Sequence, residues 1–430
     1  MKHAGLRPTS RHGVFCRPWC AALLIVLCAG CGDPLPHSAD MGPEPAAPAA
    51  LGPLPDTQWV GLITRLSESG GYFDTDNLIS NETSYLHVLG PMHRLGVQGG
   101  VYVGVGPDQS FSYMAQQRPE LAFIVDIRRD NLLHHLLLKA LFHEAERRVD
   151  YLALLFGRAV PQAPGSESPG GSGPDPWLEA DAAALLQALA GAEGGSGSEE
   201  AREAWARLRR RIVSFGLPLE PGDLDTIEAF HSAFVRAGGA LRFTSHGRPP
   251  RPYYPTFAQL LTETDLEGRR GSYMATEKAF RFLDALQEAN RVVPVVGDLA
   301  GPSALRGIGA EARSRGLTVR ALYTSNVESY LVRNGSFGGF AATLAELPVD
   351  RWSVLVRSVF PNAARHPDAV PGYYSTQTLV RLEDVQRALA GGGYSGFLDL
   401  VTRDAVPLLE PGQGADRSSR SPRGEPGRRP

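Results

Sequence analysis

Cysteine is scarce in this chain of 430 residues and is confined to one end of it. All four cysteines, Cys16, Cys20, Cys28 and Cys31, lie within the first 31 residues. A folded body built from the later residues therefore has no disulfide, no zinc–thiolate site and no cysteine nucleophile. Such a body must be held together by its apolar core, which a chain of this length is able to provide.

Long apolar runs are also scarce, and the most conspicuous one lies near the beginning of the chain. The apolar segment Ala21–Leu27 follows a stretch that contains four basic residues, and no acidic residue occurs among the first 30. A short apolar segment behind a basic stretch is typical of an export signal rather than of a membrane-spanning helix. We therefore predict a signal peptide over residues 1–30.

The predicted signal peptide ends in Leu-Cys-Ala-Gly-Cys, residues 27–31, which resembles the lipobox of bacterial lipoproteins. In that family the final cysteine is lipidated and becomes the new N-terminus, so the resemblance implies that Cys31 is lipidated. Cys28 departs from the pattern, because the family prefers leucine at that place. The resemblance implies an exported protein anchored to the bacterial cell envelope, facing the periplasm or the cell surface. A signal peptide that is cut at another site is the alternative.

Positive charge is in short supply in the expected mature chain. Removal of residues 1–30 leaves 39 of the 43 Lys and Arg residues against 46 Asp and Glu, a net charge of −7. Nucleic-acid surfaces require a basic patch, so we expect no nucleic-acid partner. No later apolar segment is long enough to span a bilayer, and the lipid anchor is the membrane contact that we predict.

Pro, Gly, Ala and Ser are concentrated in three segments that lack a hydrophobic pattern. Residues 31–56 are rich in Pro and Ala and are interpreted as a tether. Residues 160–198 are predicted to be a low-complexity insertion with at most one helix, near 177–191. Residues 411–430 are predicted to be a disordered tail. The remaining part, residues 57–410, is expected to form one folded domain.

Apolar periodicity within that domain alternates between strands and helices. Strands are predicted at 101–105, 121–126, 292–298, 317–323 and 352–359, with edge strands at 373–380 and 396–401. Helices are predicted at 81–95, 108–118, 130–157, 199–214, 223–237, 272–290, from 303 onward, and at 337–346. This alternation predicts an α/β fold with a doubly wound, mostly parallel sheet and a large insertion after the second strand.

The most informative segment is Val101–Ser110, in which an apolar run breaks at Gly104 and Gly106 and a helical stretch follows. A second apolar run ends at Asp126, 20 residues after Gly106. Strand, glycine turn, helix, strand and carboxylate form the first half of a nucleotide-binding unit. The glycines allow a ligand to approach the backbone closely, and the carboxylate can accept hydrogen bonds from a ribose diol.

With these motifs, the order of elements resembles that of class I S-adenosylmethionine-dependent methyltransferases. Val295–Asp298 is similar to the third strand of that family, and Leu322–Asn326 is similar to the fourth. The resemblance implies S-adenosylmethionine as the candidate cofactor and assigns it six contact residues. These are Gly104, Gly106 and Asp108 along its amino-acid part, Asp126 at the ribose, Asp298 at the adenine and Asn326 on the substrate side.

The chain also departs from the methyltransferase pattern. Pro107 and Asp108 follow Gly106 where the family usually carries a third glycine. No Asn-Pro-Pro-Tyr-like tetrad follows the fourth strand, so nothing identifies an acceptor or a catalytic residue. A dinucleotide-binding oxidoreductase shares the same fingerprint, and any doubly wound domain needs glycines at its first turn.

Two further segments lie where they could contact a ligand. Glu82 and Tyr85 precede the first strand and either close over a ligand or belong to an ordinary helix start. The proline-rich segment 247–256 is either a lid that presents Tyr253 or Tyr254, or a plain surface crossover.

A histidine-rich stretch lies on the predicted helix 130–157. His134, His135 and His143 are interpreted as part of a solvated helix face, opposite an apolar stripe of leucines. The spacing does not match His-Glu-x-x-His, so we predict no metal site.

Export and cofactor use point to different functions. S-adenosylmethionine is made in the cytoplasm, and occupancy of a site depends on the ratio of ligand concentration to Kd. Pro107 also removes one N–H donor from the turn that would hold the cofactor. The sequence therefore favours a degenerate or non-catalytic binding protein, anchored to a membrane and able to bind a small molecule. The alternative is a methyltransferase that acts on an unknown acceptor.

Overall fold

The computed structural model describes residues 51–162, 175–246, 248 and 251–409. The predicted signal peptide, Cys31, most of the predicted tether and the predicted tail lie outside the described residues. Within the described ranges, no helix combines the length and the apolar character that a membrane span requires.

A six-stranded sheet lies at the centre of the described fold, in the order β3-β2-β1-β4-β5-β6. The strands are β1 Val101–Gly104, β2 Leu121–Asp126, β3 Val292–Val296, β4 Val319–Tyr323, β5 Val354–Val359 and β6 Thr376–Arg381. The first five are parallel, and β6 pairs antiparallel with β5. The prediction of an α/β fold with a mostly parallel sheet is therefore confirmed.

Helices surround this sheet, and two short 3₁₀ helices occur at Thr83–Val88 and Gly238–Ala240. The α-helices of the described residues are α1 Asp56–Leu66, α2 Leu89–Arg94, α3 Gln109–Gln117, α4 Arg129–Glu144, α5 Arg148–Phe156, α6 Pro176–Glu179, α7 Ala182–Ala190, α8 Glu199–Ser214, α9 Asp223–Ala237, α10 Phe257–Thr262, α11 Glu277–Glu288, α12 Ala304–Ser314, α13 Val327–Arg333, α14 Phe337–Glu346, α15 Leu382–Ala390 and α16 Phe397–Thr402. Helices α1, α3, α4 and α12 pack directly on β1, β2 and β3, which explains why these three strands are almost entirely apolar.

The predicted insertion after the second strand contains the helices α4 to α11. Helix α4 packs on β2 and β3 and is covered in turn by α8, α9 and α11. As a result, every residue from Asn131 to Phe142 is buried. The insertion thus builds a second helical layer over one side of the sheet, rather than a separate appendage.

The interpretation of the α4 histidines as a solvated face is wrong. His134 and His135 are each 2% exposed, and the His134 ring lies 5.9 Å from Phe230 and 6.0 Å from Phe234 of α9. Burial lowers the pKa of His135 to about 4 and holds that of His134 well below its usual range. His143 is half-buried, and burial lowers its pKa to about 4 as well. The periodicity identified an amphipathic helix, but α8 and α9 cover its more polar face.

Several predicted element boundaries also differ from the structure. The single helix predicted at 130–157 is divided, because the backbone is extended at Ala145. A new helix, α5, begins after Arg147, whose backbone N–H donates to the Asp150 carboxylate. The strand predicted at 396–401 is the helix α16, whereas the edge strand predicted at 373–380 is confirmed as β6.

The segments predicted to be a low-complexity insertion and a tether are partly folded. Residues 175–198 contain two helices, α6 and α7, and Leu185 and Leu189 of α7 are fully buried. Leu54, within the predicted tether, is 5% exposed, and its backbone bonds to Ala289 and Asn290. The folded part of the chain therefore begins before Asp56.

Candidate functional site

The carboxyl ends of the parallel strands meet at one edge of the sheet, which we call the carboxyl edge. Doubly wound domains bind ligands there, next to the point where the strand order reverses. In this sheet the reversal lies between β1 and β4. The structure brings all six predicted contact residues to strand ends or turns at this edge: Gly104, Gly106, Asp108, Asp126, Asp298 and Asn326.

The glycine turn after β1 is packed against other parts of the protein. Gly106 has a φ of +80°, a left-handed conformation that favours glycine, and its carbonyl accepts a hydrogen bond of 2.9 Å from His135 Nε2. A Cβ on Gly106 would lie 3.6 Å from Asn77 Nδ2, and a Cβ on Gly104 would lie 2.5 Å from the Tyr102 hydroxyl. The positive φ accounts for Gly106 and the Tyr102 side chain accounts for Gly104, so neither glycine requires a bound ligand.

Asp108 also faces the interior. Its carboxyl accepts a 2.9 Å hydrogen bond from the hydroxyl of Tyr273, and the residue is 5% exposed. Burial raises the pKa of Asp108 to about 7, although the bond from Tyr273 lowers it. In this arrangement the carboxyl group lies beneath the turn, bonded to Tyr273, and does not line the edge.

Asp126, the predicted ribose ligand, is engaged by Arg128. The carboxylate accepts hydrogen bonds from the backbone N–H of Arg128 at 2.9 Å, from its Nε at 3.1 Å and from its Nη2 at 2.9 Å. Arg128 is 5% exposed, and its Nη1 donates to the carbonyls of Thr75 at 2.8 Å and Asp76 at 3.3 Å. The guanidinium thus bonds both carboxylate oxygens, which a ribose diol would need as acceptors.

Residues 67–81 lie across the carboxyl edge, and we call them the covering segment. The backbone N–H of Gly71 donates to Ile127 O at 2.7 Å, just after β2. The Phe73 ring lies 5.2 Å from that of Tyr330 on α13. Asn77 reaches the glycine turn, as described above. The covering segment therefore lies over the ends of β2 and β1 and reaches α13, whereas Ser325 and Asn326 at the tip of β4 stay half-buried.

Asp298 and Glu68 form the start of α12 together. Asp298 Oδ1 accepts from Ala300 N at 2.9 Å, and Asp298 N donates to Glu68 at 3.3 Å. Glu68 also accepts from Ser303 N at 2.8 Å and from Ala304 N at 2.6 Å. Burial raises the pKa of Glu68, but these hydrogen bonds outweigh it and lower the pKa overall. Glu68 thus caps the start of α12, and the Asp298 carboxylate holds the turn that precedes the helix.

We expect Glu68→Ala to lower the free energy of unfolding by about 1–2 kcal/mol, as the loss of an N-terminal cap does. Because the pKa of Glu68 is lowered on folding, this contribution is present above the unfolded pKa of 4.5 and is lost as the pH falls further. Urea unfolding at pH 7 and pH 4 measures both effects. The exposed Glu346→Ala is the control, and a Glu68→Ala protein as stable as the wild type at pH 7 would contradict the assignment.

A buried polar cluster centred on Glu82 lies at the ends of β4, β5 and β6. Glu82 is 1% exposed, and its Oε2 accepts from the hydroxyl of Tyr323 at 2.7 Å, from Ser358 Oγ at 2.5 Å and from Gln377 Nε2 at 2.8 Å. Its Oε1 accepts from Ser325 Oγ. Glu82 therefore does not close over a ligand from outside but forms the floor of this part of the edge.

Next to this cluster, β5 and α13 share a buried ion pair. Arg357 Nε donates to Glu328 Oε2 at 2.6 Å, and both side chains are 3% exposed. Thr324 Oγ1 lies 3.3 Å from the same carboxylate oxygen. Asn326 is half-buried and is the residue just before α13, two positions before Glu328. The predicted substrate-side residue is thus fixed beside a charged, desolvated pair.

Sequence reasoning missed Arg128, Ser325, Ser358 and Gln377. Ser358 carried a signal that could have found it, because it is a polar residue in the largely apolar predicted strand 352–359. Gln377 carried none, because a threonine stands on either side of it. Arg128 and Ser325 carried no such signal, since each follows a strand where polar residues are ordinary.

Within the segment predicted as a lid or crossover, the described residues 251–256 lie at the β5–β6 side of the edge. Tyr253 is 42% exposed, and its ring lies 4.3 Å from that of Tyr374, which precedes β6. Arg248 forms an ion pair with Asp74 of the covering segment. Tyr85 is buried and donates to Leu260 O at 2.9 Å, so it supports α10 and does not face a ligand.

Two surface cavities of about 390 and 370 Å³ lie at α8 and α9. None of the six predicted contact residues lines either of them. Among the described residues there is no group of three or more His, Cys, Asp and Glu side chains placed to hold a metal ion.

Comparison with known proteins gives one family match. A family described as a domain of unknown function, DUF7790, matches residues 78–160 and 251–404. The matched ranges include the glycine turn, Asp126, Arg128 and the Glu82 cluster, and they leave out most of the insertion from α6 to α9. No curated protein matches the chain.

Proposed function

Since the chain belongs to the DUF7790 family, whose description assigns no activity, we propose its function from the carboxyl edge: an exported, lipid-anchored protein whose methyltransferase-like domain is degenerate and binds without transferring methyl groups. The proposal includes lipidation at Cys31 and an anchor in the cell envelope. Its ligand is a small molecule or an envelope component, not a nucleic acid.

The observation that carries the proposal is the engagement of Asp126 by Arg128. A carboxylate that already accepts three hydrogen bonds from one arginine can bind a ribose diol only after that arginine moves. The covering segment is tied to the same guanidinium through two carbonyls. Cofactor binding would therefore have to displace a charge-assisted network and lift the covering segment.

The predicted export signal, which is itself part of the proposal, supports its non-catalytic half. An exported protein meets little S-adenosylmethionine, and low concentration cannot be offset unless Kd is correspondingly low. Pro107 further removes one donor from the turn. The site would need a low Kd to be occupied, whereas the covering segment over the edge favours weak binding.

S-adenosylmethionine-dependent methyl transfer to an unknown acceptor is the second candidate. The specific observation in its favour is the strand order, which reverses between β1 and β4 at the glycine turn as in other doubly wound nucleotide-binding folds. In that reading Gly104, Gly106 and Asp126 would contact the cofactor after an opening of the covering segment, and Asn326 would face the acceptor.

Calorimetric titration with S-adenosylmethionine and S-adenosylhomocysteine separates the two candidates. With protein starting at Pro48, we expect no binding heat up to millimolar ligand. Asp126→Ala serves as the control for any signal that appears. Micromolar binding that disappears in Asp126→Ala would overturn the proposal and establish a cofactor-using protein.

A further inference from the structure

We propose that Ser325 is a nucleophile toward carboxylic esters and that Glu82 is its general base. The pair lies at the end of β4, and its chemistry does not involve the glycine turn or any cofactor. The inference therefore goes beyond the proposed function. A domain that has lost methyl transfer can still carry a reactive serine at the same edge.

The backbone at Ser325 is unusual. Its φ is 51°, in the left-handed region that residues other than glycine, asparagine and aspartate seldom occupy. The turn is held by a 2.7 Å bond from Ser358 N to Ser325 O and by a 3.0 Å bond from Thr324 N to Val356 O. Strained backbone of this kind clusters at functional sites, because the surrounding structure must maintain it.

The order of elements around Ser325 is strand, tight turn, helix. This arrangement places a serine at the tip of a strand with its side chain projecting at a sheet edge, as a nucleophile at such a turn requires. Thr324 and Asn326 flank the serine, and Tyr323 and Val327 stand two residues away on either side. The Gly-x-Ser-x-Gly pattern is absent, so a motif search does not find this serine.

The two oxygens of Glu82 have different partners. Oε2 accepts three donors, Tyr323, Ser358 and Gln377, which fix the orientation of the carboxylate. Oε1 accepts from Ser325 Oγ. A nucleophile bonded to a base that other groups hold in place is the general arrangement of nucleophilic catalysis. Tyr323, Ser358 and Gln377 are positioning residues in this scheme.

Exposure distinguishes Ser325 from the other serine bonded to Glu82. Ser358 is 2% exposed, whereas Ser325 and the neighbouring Asn326 are half-buried and reach the surface. Asn326 Oδ1 lies 3.5 Å from Ser325 Oγ, which brings an amide group beside the reacting atom.

The reaction proceeds in two steps, acylation of Ser325 and hydrolysis of the acyl-serine. Ser325 Oγ forms a bond to the acyl carbon of the ester while its proton passes to Glu82 Oε1. The bond to the leaving alcohol then breaks, and the alcohol oxygen takes that proton. Water next attacks the acyl-serine, passing one proton through Glu82 to Ser325 Oγ, and releases the carboxylic acid.

The proposal is tested by labelling the full-length protein with an alkyl fluorophosphonate. Digestion and mass spectrometry then identify the labelled residues. We expect the phosphonyl group on Ser325 and not on Ser358. Ser325→Ala should abolish this label and reduce p-nitrophenyl acetate hydrolysis at least tenfold. Glu82→Gln, which keeps the size of the side chain, should slow labelling of Ser325 at least tenfold. The exposed serine of α12 gives the control, Ser314→Ala, which should label as the wild type does.

Two results would overturn the proposal. One is wild-type protein in which Ser325 is labelled no faster than Ser314, a comparison that requires no variant to fold. The other is folded Glu82→Gln protein, with an unchanged circular dichroism spectrum, that labels Ser325 at the wild-type rate. Neither result bears on cofactor binding, so each leaves the calorimetric test of the proposed function independent.

Discussion

Replacing Arg128 by alanine is expected to lower the free energy of unfolding by about 3–5 kcal/mol, as removal of one partner from a buried ion pair does. Asp126 would lose the two hydrogen bonds from the guanidinium and keep the one from the backbone N–H of residue 128. Its carboxylate would remain only partly solvated, since its side chain is 11% exposed. Thr75 and Asp76 would lose the donor to their carbonyls. Urea unfolding at pH 7 measures the change.

The same substitution is expected to loosen the covering segment and to free Asp126. Amide hydrogen exchange over residues 67–81 should therefore speed up by at least tenfold relative to the strands of the sheet. Titration of the variant with S-adenosylhomocysteine then reports whether a nucleotide site lies beneath. Binding gained in Arg128→Ala and absent from the wild type would identify Arg128 as the group that blocks the edge.

Arg129→Ala is the matched control, because the neighbouring arginine points elsewhere. Its guanidinium pairs with Asp223 at 2.6 Å and Glu220 at 3.3 Å and is 32% exposed. We expect a smaller loss of stability and unchanged exchange in the covering segment. An Arg128→Ala protein with wild-type stability and wild-type exchange would show that the ion pair does not hold the edge closed.

Asp108→Asn is expected to stabilise the protein at and above pH 7 and to remove part of the pH dependence of folding. The folded pKa of Asp108 is about 7, above its unfolded value of 3.8. Between these values the folded state keeps a proton that the unfolded state has lost. Stability from this group is therefore complete below pH 3.8 and is lost as the pH rises through 7.

The size of this effect follows from the shift of about three pKa units, which corresponds to roughly 4 kcal/mol. Asparagine keeps an oxygen that can accept from the hydroxyl of Tyr273 and needs no proton to remain neutral. Unfolding free energies of wild type and variant at pH 5 and pH 8 measure the difference. The variant should gain relative to the wild type at pH 8 far more than at pH 5.

Tyr273→Phe provides a second test of the same site. Its hydroxyl donates to Asp108 and thereby lowers the pKa that burial raises. Removing it should shift the loss of stability to higher pH. Equal wild-type and Asp108→Asn stabilities at both pH values would contradict the placement of a protonated, desolvated carboxyl under the glycine turn.

The sheet was the part of the fold most accessible from the sequence. The apolar runs at 101–105 and 121–126 lie within one residue of β1 and β2, because strands buried on both faces are apolar throughout. The same property made 396–401 misleading, since a short apolar run does not distinguish a strand from the helix α16. The six predicted contact residues do gather at one edge, because parallel strands place their carboxyl ends together.

The side-chain contacts at that edge could not be predicted from the sequence in the same way. Nothing in the sequence around Asp126 indicates that Arg128 folds back on it, since an arginine two residues after a strand is commonly solvated. The burial of His134 depends on α9, almost a hundred residues later in the chain. Such contacts are set by tertiary packing, which local periodicity does not encode.

The covering of α4 by α8 and α9 has a consequence for other members of the family. Helix α4 belongs to the matched ranges, whereas α8 and α9 do not. Lys139 of α4 donates to Gln287 O and lies 5.2 Å from the ring of Phe215, just after α8. A relative that lacks α8 and α9 would present this face of α4 to water. Substitutions at positions 134 and 139 should therefore co-vary with the presence of α8 and α9, and not with the chemistry of the sheet edge.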